Sequence, residues 1–456
     1  MKSRIRENLD FTRGNIYKSL VLFAIPIMLG ELLQNLYQST DSVILGNFVG
    51  EHALAAVSVC TTLTNLLVGF CNGISVGSTV VVSKAFGSGD RKRLTDCVNY
   101  TYSFSILIGI GLSIIGLLLS PLLVRISNVN EEISPFALTY LRIYICGLLF
   151  SIVYNNSAGI LRGMGDMRTP FGILIISCSL NIIMDIVFCT VLNMGIAGVA
   201  LATVIAQLIS VLISYYVLHK KLGFKCIAIR QTLESGMPII REAMDVGVAA
   251  GIQASIISFS NLFVWRYINR FSTAAVAGIG IGQRIDKFVS LPTNAYGTAV
   301  TTFAGQNLGA GNRARIREGI KDSLILSLAT TVVLGMIMYP SASFIARLFN
   351  RNQEVIDTAV LMNHIMMPLY FLIAVRHIMI GVLRAHKRNR LSTFLTLAGM
   401  VGVRQIYLAV VMSIKSDIVY VIWGYPVGWF FAFLFVAIYY FGCRKKMFRE
   451  KTADLQ

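Results

Sequence analysis

Apolar residues run in stretches of about twenty or more, separated by short polar turns rich in glycine and arginine. A run of that length, wound as a helix, crosses about 30 Å of hydrocarbon. Twelve such runs are predicted. Six lie near residues 17–44, 54–82, 98–120, 137–159, 171–191 and 196–218. Six more lie near 239–265, 275–302, 321–342, 356–381, 393–412 and 420–442. Several are longer than a perpendicular crossing needs, so tilt or protrusion beyond the lipid is expected.

The polar turns repeat. AFGSGDRKRL at 85–94 is matched by NLGAGNRARI at 307–316, and LRGMGDMRTP at 161–170 by LRAHKRNRLS at 383–392. Both pairs are separated by 222 positions, and one shared offset for two distant motifs points to a duplicated half. The predicted fold class is an all-α polytopic membrane protein with twelve transmembrane helices in two pseudo-symmetric six-helix bundles. The expected domains are an N-terminal bundle over 1–218, a cytoplasmic linker over 219–238, and a C-terminal bundle with a tail over 239–456. In each turn glycine permits the tight geometry, and Asp90 or Asn312 is placed to cap the following helix. Asp166 is placed to cap or pair locally. LRAHKRNRLS lacks the glycine and proline of its counterpart, so a different exit geometry is expected there.

Charge supports the layout. Charged residues are 14% of the chain, against about 25% in soluble domains. The net charge of +18 could suggest a nucleic-acid partner, but its distribution argues otherwise. Of the 40 basic residues, 28 fall on alternate connections, the first with the N-terminus and the last with the C-terminus. The other side has few, among them Arg125, Arg270, Arg347, Arg351 and Lys415. This positive-inside bias predicts both termini in the cytoplasm. Two halves of six spans each then start on the same side, so the duplication is parallel. The basic start of the chain reads as a cytoplasmic leader rather than a cleaved signal.

Several functions are excluded. There is no GxxxxGK[ST] loop, so no nucleotide partner is expected. The glycines of GIGIGQ at 278–283 lack a strand–turn–helix context and are read as close helix contacts. The eight cysteines form no CxxC and no zinc spacing, and are read as small residues filling the interior. The acids lack nearby His or metal-ligand groupings. No enzyme activity and no cofactor are expected.

Polar residues inside the spans carry the chemistry, because a carboxylate in hydrocarbon is costly unless paired, hydrated or protonated. The first span places Glu31, Gln34, Gln38 and Asp41 along one face, with Tyr37 beside it. The fifth places Asn181 and Asp185 four residues apart, and the sixth Thr203 and Gln207. The fourth supplies Tyr154, Asn155 and Asn156. Two carboxylates with amide and hydroxyl oxygens either trade protons or cage a hard monovalent cation such as sodium, and both uses fit. The second half differs: at the repeat offset Asp41 falls at Phe263 and Asp185 at Tyr407. There Gln253, Arg284, Asp286, Lys287, Arg376 and Arg404 are the polar candidates. Arg284 or Lys287 is expected to pair with Asp286, as a salt bridge or a cavity wall.

The motifs ELLQNLYQSTDSVILGNFVG, LRGMGDMRTP, NIIMDIVF and TFAGQNLGAGNRAR, in this order and with duplicated spacing, resemble the MATE family of multidrug and toxic compound extrusion transporters. The nearest look is to its bacterial DinF-type branch, which carries acids in the first and fifth spans. The resemblance implies export of small amphipathic organic cations by antiport with protons or sodium ions, from a bacterial inner (plasma) membrane. One twelve-span chain would contain the whole pathway, so a monomer is expected, with membrane lipid as its surroundings. The resemblance also implies that Asp41, Asn181, Asp185 and Thr203 form the proton- or sodium-responsive pocket, with Tyr37, Asn155 and Asn156 lining it. The NorM-type branch carries acids in its second bundle. Here the seventh span has no mid-span acid, which argues against a sodium site there. The alternative, within the same superfamily, is a flippase of lipid-linked oligosaccharide. Its phosphate would be held by Arg284, Lys287, Arg376 and Arg404.

Overall fold

The computed structural model describes residues 9–126, 130–224, 226 and 229–448. Basic positions Lys2, Arg4, Arg6, Lys225, Arg449 and Lys451 lie outside the described residues. Within them every regular element is a helix. α1 (Ile16–Ile44) runs into a wide π turn, Leu45–Val49. α2 (Glu51–Gly87) and α3 (Arg91–Ile126) follow. α4 (Ser134–Cys146) and α5 (Leu148–Gly163) are one span bent by 45°. α6 (Arg168–Ile186) ends in a second π turn, Val187–Val191, before α7 (Gly195–Leu222). A short α8 (Ile229–Ser235) interrupts the linker.

The second series is α9 (Met237–Ile268), α10 (Thr273–Gly309) and α11 (Arg313–Phe349). α12 (Gln353–Met366) and α13 (Tyr370–Ala385) join through one 3₁₀ turn. α14 (Asn389–Leu397) and α15 (Arg404–Ile414) flank a third π turn, Ala398–Val403. α16 (Ile418–Phe448) completes the described chain. A helix therefore stands at each of the twelve predicted spans. Among the described residues, ten helices, eleven with the bent pair, are long and apolar enough to cross a membrane. The remaining span is α10, whose apolar run is interrupted by Gln283, Arg284, Asp286 and Lys287. Large apolar side chains face outward, Leu118 at 75% exposure and Ile414 at 80%. Lipid, rather than water, is the solvent such surfaces require.

The repeated turns close alike. Gly89 and Gly311 both take a left-handed backbone, with φ of 71° and 73°. Asp90 Oδ1 accepts from Arg93 N at 3.0 Å and Asn312 Oδ1 from Arg315 N at 3.1 Å, so both capping expectations hold. Asp166 both caps and pairs: it accepts from Thr169 N at 3.0 Å and from Lys221 Nζ at 2.5 Å. The expectation of a different exit geometry at LRAHKRNRLS does not hold. Lys387, with φ of 60°, stands where Gly165 has 80°. The bond Arg388 N to Leu383 O (2.8 Å) repeats Asp166 N to Leu161 O (2.9 Å). The helix ends impose the turn, and a lysine bears the cost, about 1 kcal/mol.

Backbone contacts divide the chain into two units. One holds Ile25–Ser255 with residues 9–11, and the other holds Thr12–Ala24 and the chain from Ile256 onward. α1 and α9 thus each belong partly to both units. In the first unit, α9 crosses α2 at backbone distance through two GxxxG pairs, Gly73/Gly77 and Gly247/Gly251. A Cβ at Gly73 would stand 2.3 Å from Gly251 N, and one at Gly77 2.1 Å from Ala243 O. Small residues at such spacing let helix backbones touch. Lys84 pairs with Glu242 at 3.2 Å along the same two helices. An apolar cluster around Val82, Val98, Ile160 and Leu218 and another around Leu45, Leu141, Ile145 and Ala200 form this unit's interior. The second unit is built around Ile279, Ile285, Met362, Tyr370 and Trp429. Gly278 and Gly282 abut Thr358 and Met362, as close helix contacts should. All eight cysteines are free thiols.

A buried carboxyl pair as candidate functional site

Asp41 lies on the last turn of α1 and Asp185 on the last turn of α6, each just before a π turn. Those turns close with bonds from Gly50 N to Leu45 O and from Leu192 N to Val187 O, each 3.0 Å. They touch each other and both touch α7. The widened turns swing the two helix ends together, and π turns recur at functional sites. The Asp41 and Asp185 carboxyls come within hydrogen-bonding reach of each other. Asp185 is fully buried and Asp41 half-buried.

The site is short of donors. Among the described residues no donor from another group meets Asp41 Oδ1, either oxygen of Asp185, or Asn181 Oδ1. Asn181 is 2% exposed, and its Nδ2 donates to Thr203 Oγ1 at 3.5 Å. Thr203 in turn donates to Val199 O at 3.1 Å. The amide oxygen is thereby left turned away from its only described side-chain partner. Gln207 Oε1, one turn further along α7, is also buried without a donor. Two facing carboxyls repel unless one holds a proton or a cation lies between them. Buried carboxylate and amide oxygens without donors are costly, so this constellation fits a proton or a hard cation as its missing partner. Among the described residues no three His, Cys, Asp or Glu side chains gather as a metal centre. A sodium ion there would draw on amide and hydroxyl oxygens besides the acids.

Tyr37 and Tyr140 lie beside the pair, and Tyr144 lies beside those two tyrosines. Tyr37 and Tyr140 are within electrostatic reach of Asp41, and Tyr140 also of Asp185. The rings of Tyr140 and Tyr144 stack at 6.1 Å. The sequence reading included Tyr37 but missed the two tyrosines of α4, whose four-residue spacing is common among apolar helix faces. Gln34 is exposed, Glu31 and Gln253 are half-buried, and the side chain of Gln38 lies outside the described residues. The asparagines of α5 serve helix contacts. Asn156, wholly buried, accepts from Ser78 Oγ at 2.5 Å and donates to Thr101 O at 3.1 Å. Asn155 Nδ2 returns to Ser151 O at 2.8 Å.

Arg162, at the end of α5, is one of the basic residues that the charge pattern assigns to the inner face. Its side chain instead runs back into the bundle, where it hydrogen-bonds Ser75 and lies within electrostatic reach of Glu31 and Tyr154. A basic residue at a helix end looks alike in sequence whether it snorkels outward or folds inward.

In the second unit the expected pairing of Asp286 is not found. Among the described residues neither Arg284 nor Lys287 forms a salt bridge with it. Residues one and two apart on a helix point to different sides. Arg284 lies over the Phe349 ring at 5.6 Å, and Asp286 Oδ1 is buried without a donor among the described residues. Nearby, Gln283 Nε2 donates to Tyr425 Oη at 3.1 Å. Arg404 donates to Ser260 Oγ at 2.7 Å and lies over the Tyr425 ring.

A many-span helical protein in two units, with a buried acid pair in the first, is built as a membrane transporter. The MatE family model matches residues 26–187 and 249–411, and the chain belongs to that family of transmembrane transporters. The two matched segments fall in the two sequence halves, as the duplicated turns require. Among relatives, "Probable multidrug resistance protein YpnP" of Bacillus subtilis is 32% identical over 75% of this chain and 76% of its own. "Probable multidrug resistance protein YoeA" of the same organism is 29% identical over 94% of both chains. A solved structure described as the outward-facing conformation of a multidrug resistance MATE family transporter superposes with a TM-score of 0.88 at 20% identity. The superposition covers 97% of this chain and 99% of that one, which shows the shared fold.

Proposed function

We propose that this protein exports amphipathic organic cations by antiport with protons or sodium ions, and that Asp41 and Asp185 are its coupling pair. The observation that carries this reading is the pair itself: two carboxyls in mutual reach, inside a helical bundle, with donors lacking on three of their oxygens. An incoming cation or proton satisfies the pair. It competes there with an organic cation, and the bound state then favours release outside. Such coupling requires unequal binding in the two conformations, because a ligand that binds both equally shifts neither. The relatives' names, which speak of multidrug resistance, support drugs as the cargo. The DinF-like assignment rests on the same acids of the first and fifth spans.

Purified protein in sealed liposomes should concentrate a fluorescent organic cation when a proton or sodium gradient is imposed, without ATP. Collapse of the gradient should stop it. Transport that ignores both gradients would overturn the antiport reading. Passage of a lipid-linked sugar in place of the cation would support the flippase reading, which the buried arginines of the second unit favour.

We also infer a bacterial plasma-membrane location with both termini cytoplasmic, from the basic turns at 91–93 and 313–317. Cysteines replacing Arg93 and Arg315 should resist an impermeant thiol reagent added outside intact cells. Labelling of both from outside would reverse the orientation.

A further inference from the structure

The two sequence halves use corresponding positions with opposite polarity. At the 222-residue offset, Tyr154, Asn155 and Arg162 of α5 become Arg376, His377 and Arg384 of α13. In the same register Glu31, within electrostatic reach of Arg162, becomes Gln253. Asp41 and Asp185 become Phe263 and Tyr407. The second half has thus lost three acids and gained two basic side chains at its counterpart positions.

The structure shows what those gains do. Arg376 is only 4% exposed. Its Nη1 meets the Met400 sulfur at 2.5 Å, a weak acceptor, and its Nη2 the His377 Nε2 at 3.0 Å. Its Nε has no acceptor among the described residues. The charged neighbour of Arg376 is Arg384, a like charge, and His377 has both arginines as neighbours. No carboxylate is an electrostatic neighbour of any of the three among the described residues. Thr293 bonds His377 through its backbone, and Gly297 lies against the His377 Cβ, so α10 fixes the ring. Arg384 lies half-buried two turns nearer the helix end.

A guanidinium buried without an acidic partner is expensive, and removing water from two like charges together is more so. A protein keeps such a group where a ligand supplies the missing charge. Guanidinium matches tetrahedral oxyanions through paired N–H donors. We propose that Arg376, His377 and Arg384 form a binding site for the phosphate group of an amphiphile, in the second unit and separate from the acid pair of the first. His377 accepts from Arg376 Nη2 and holds the guanidinium in place. Arg376 is the deep donor, and Arg384 meets the anion as it enters. The site stands whether or not the organic-cation reading is correct, since it shares no residue with the carboxyl pair.

The test uses the full-length protein in phosphatidylcholine nanodiscs, with three probes: inorganic phosphate, dodecyl phosphate, and phosphatidylglycerol mixed into the disc. Thermal unfolding and calorimetric titration report binding, and dodecyltrimethylammonium controls for the alkyl chain. Dodecyl phosphate should bind, and Arg376→Met and Arg384→Gln should each weaken it about tenfold or more, as expected for a charge-assisted contact. The ammonium control should be unchanged. Arg376→Met keeps the side-chain volume and removes a buried charge, so its unfolding midpoint without ligand should hold or rise. Stabilisation by inorganic phosphate as well identifies a free oxyanion as sufficient. Stabilisation by phosphatidylglycerol identifies a lipid headgroup as the source. Both support the site. No response to any of the three probes, or an unchanged response in Arg376→Met, overturns it.

Discussion

Asp185→Asn should abolish gradient-driven export while the protein stays folded. Asp185 is fully buried, with no donor on either oxygen and Asp41 as its facing group. An asparagine keeps the shape and supplies an amide that Asp41 can accept from, which removes a like-charge contact. Stability in detergent should therefore hold or rise. Coupling should not survive, because the amide neither takes up a proton nor bears a charge. A loss of about 100-fold or more in gradient-driven flux is expected, since a driving ion acts only through its differential affinity for the two states. Asp41→Asn should behave alike. The double variant should be little worse than either single one, because two groups that work as a unit do not add. Asn181→Ala and Thr203→Ala should be milder if a proton is the coupling ion. If sodium is, they should weaken sodium binding, since their oxygens would contact it. Both Asp variants transporting at the unmodified rate under an imposed gradient would remove the pair from the mechanism.

The second large effect is expected at Gly77. An added Cβ there would lie 2.1 Å from the Ala243 carbonyl oxygen, a collision with backbone that no rotamer relieves. Gly77→Val should force α2 and the first half of α9 apart. Overpacking of a tight contact costs about 1–3 kcal/mol, and the upper end is expected where backbone is struck. The unfolding midpoint in detergent should fall. The zero-length carbodiimide cross-link between Lys84 and Glu242, whose charged ends are 3.2 Å apart, should be lost. Gly111→Val on α3 is the control, because a Cβ there meets nothing within 4 Å. An unchanged midpoint and cross-link in Gly77→Val would show that the crossing does not depend on its glycines.

Much of the site was legible because intramembrane acids are rare and expensive, so Asp41 and Asp185 stood out from apolar spans. Asn181 and Thr203 were legible through helical spacing. Tyr140 and Tyr144 were not, since aromatic residues fill many helix faces without a role. The inward course of Arg162 was hidden because it lies at a helix end, where basic residues usually mark the membrane surface. The expected Asp286 pairing failed for a geometric reason: neighbours in sequence on a helix do not share a face.

What the sequence by itself determined is the helical class, the twelve spans and the doubled plan. Each follows from local rules: hydrophobic length, the glycine and cap chemistry of turns, and the one-sided placement of basic residues. The approach of Asp41 to Asp185 was decided only by tertiary structure. It depends on two π turns that meet beside α7, and one inserted residue in a helix leaves no mark in hydropathy. The backbone-close crossing of α2 and α9, and the burial of Arg376 away from any described acid, were decided there too. Both are facts about which faces meet across long stretches of chain, and a single helix pattern names the faces without naming their partners.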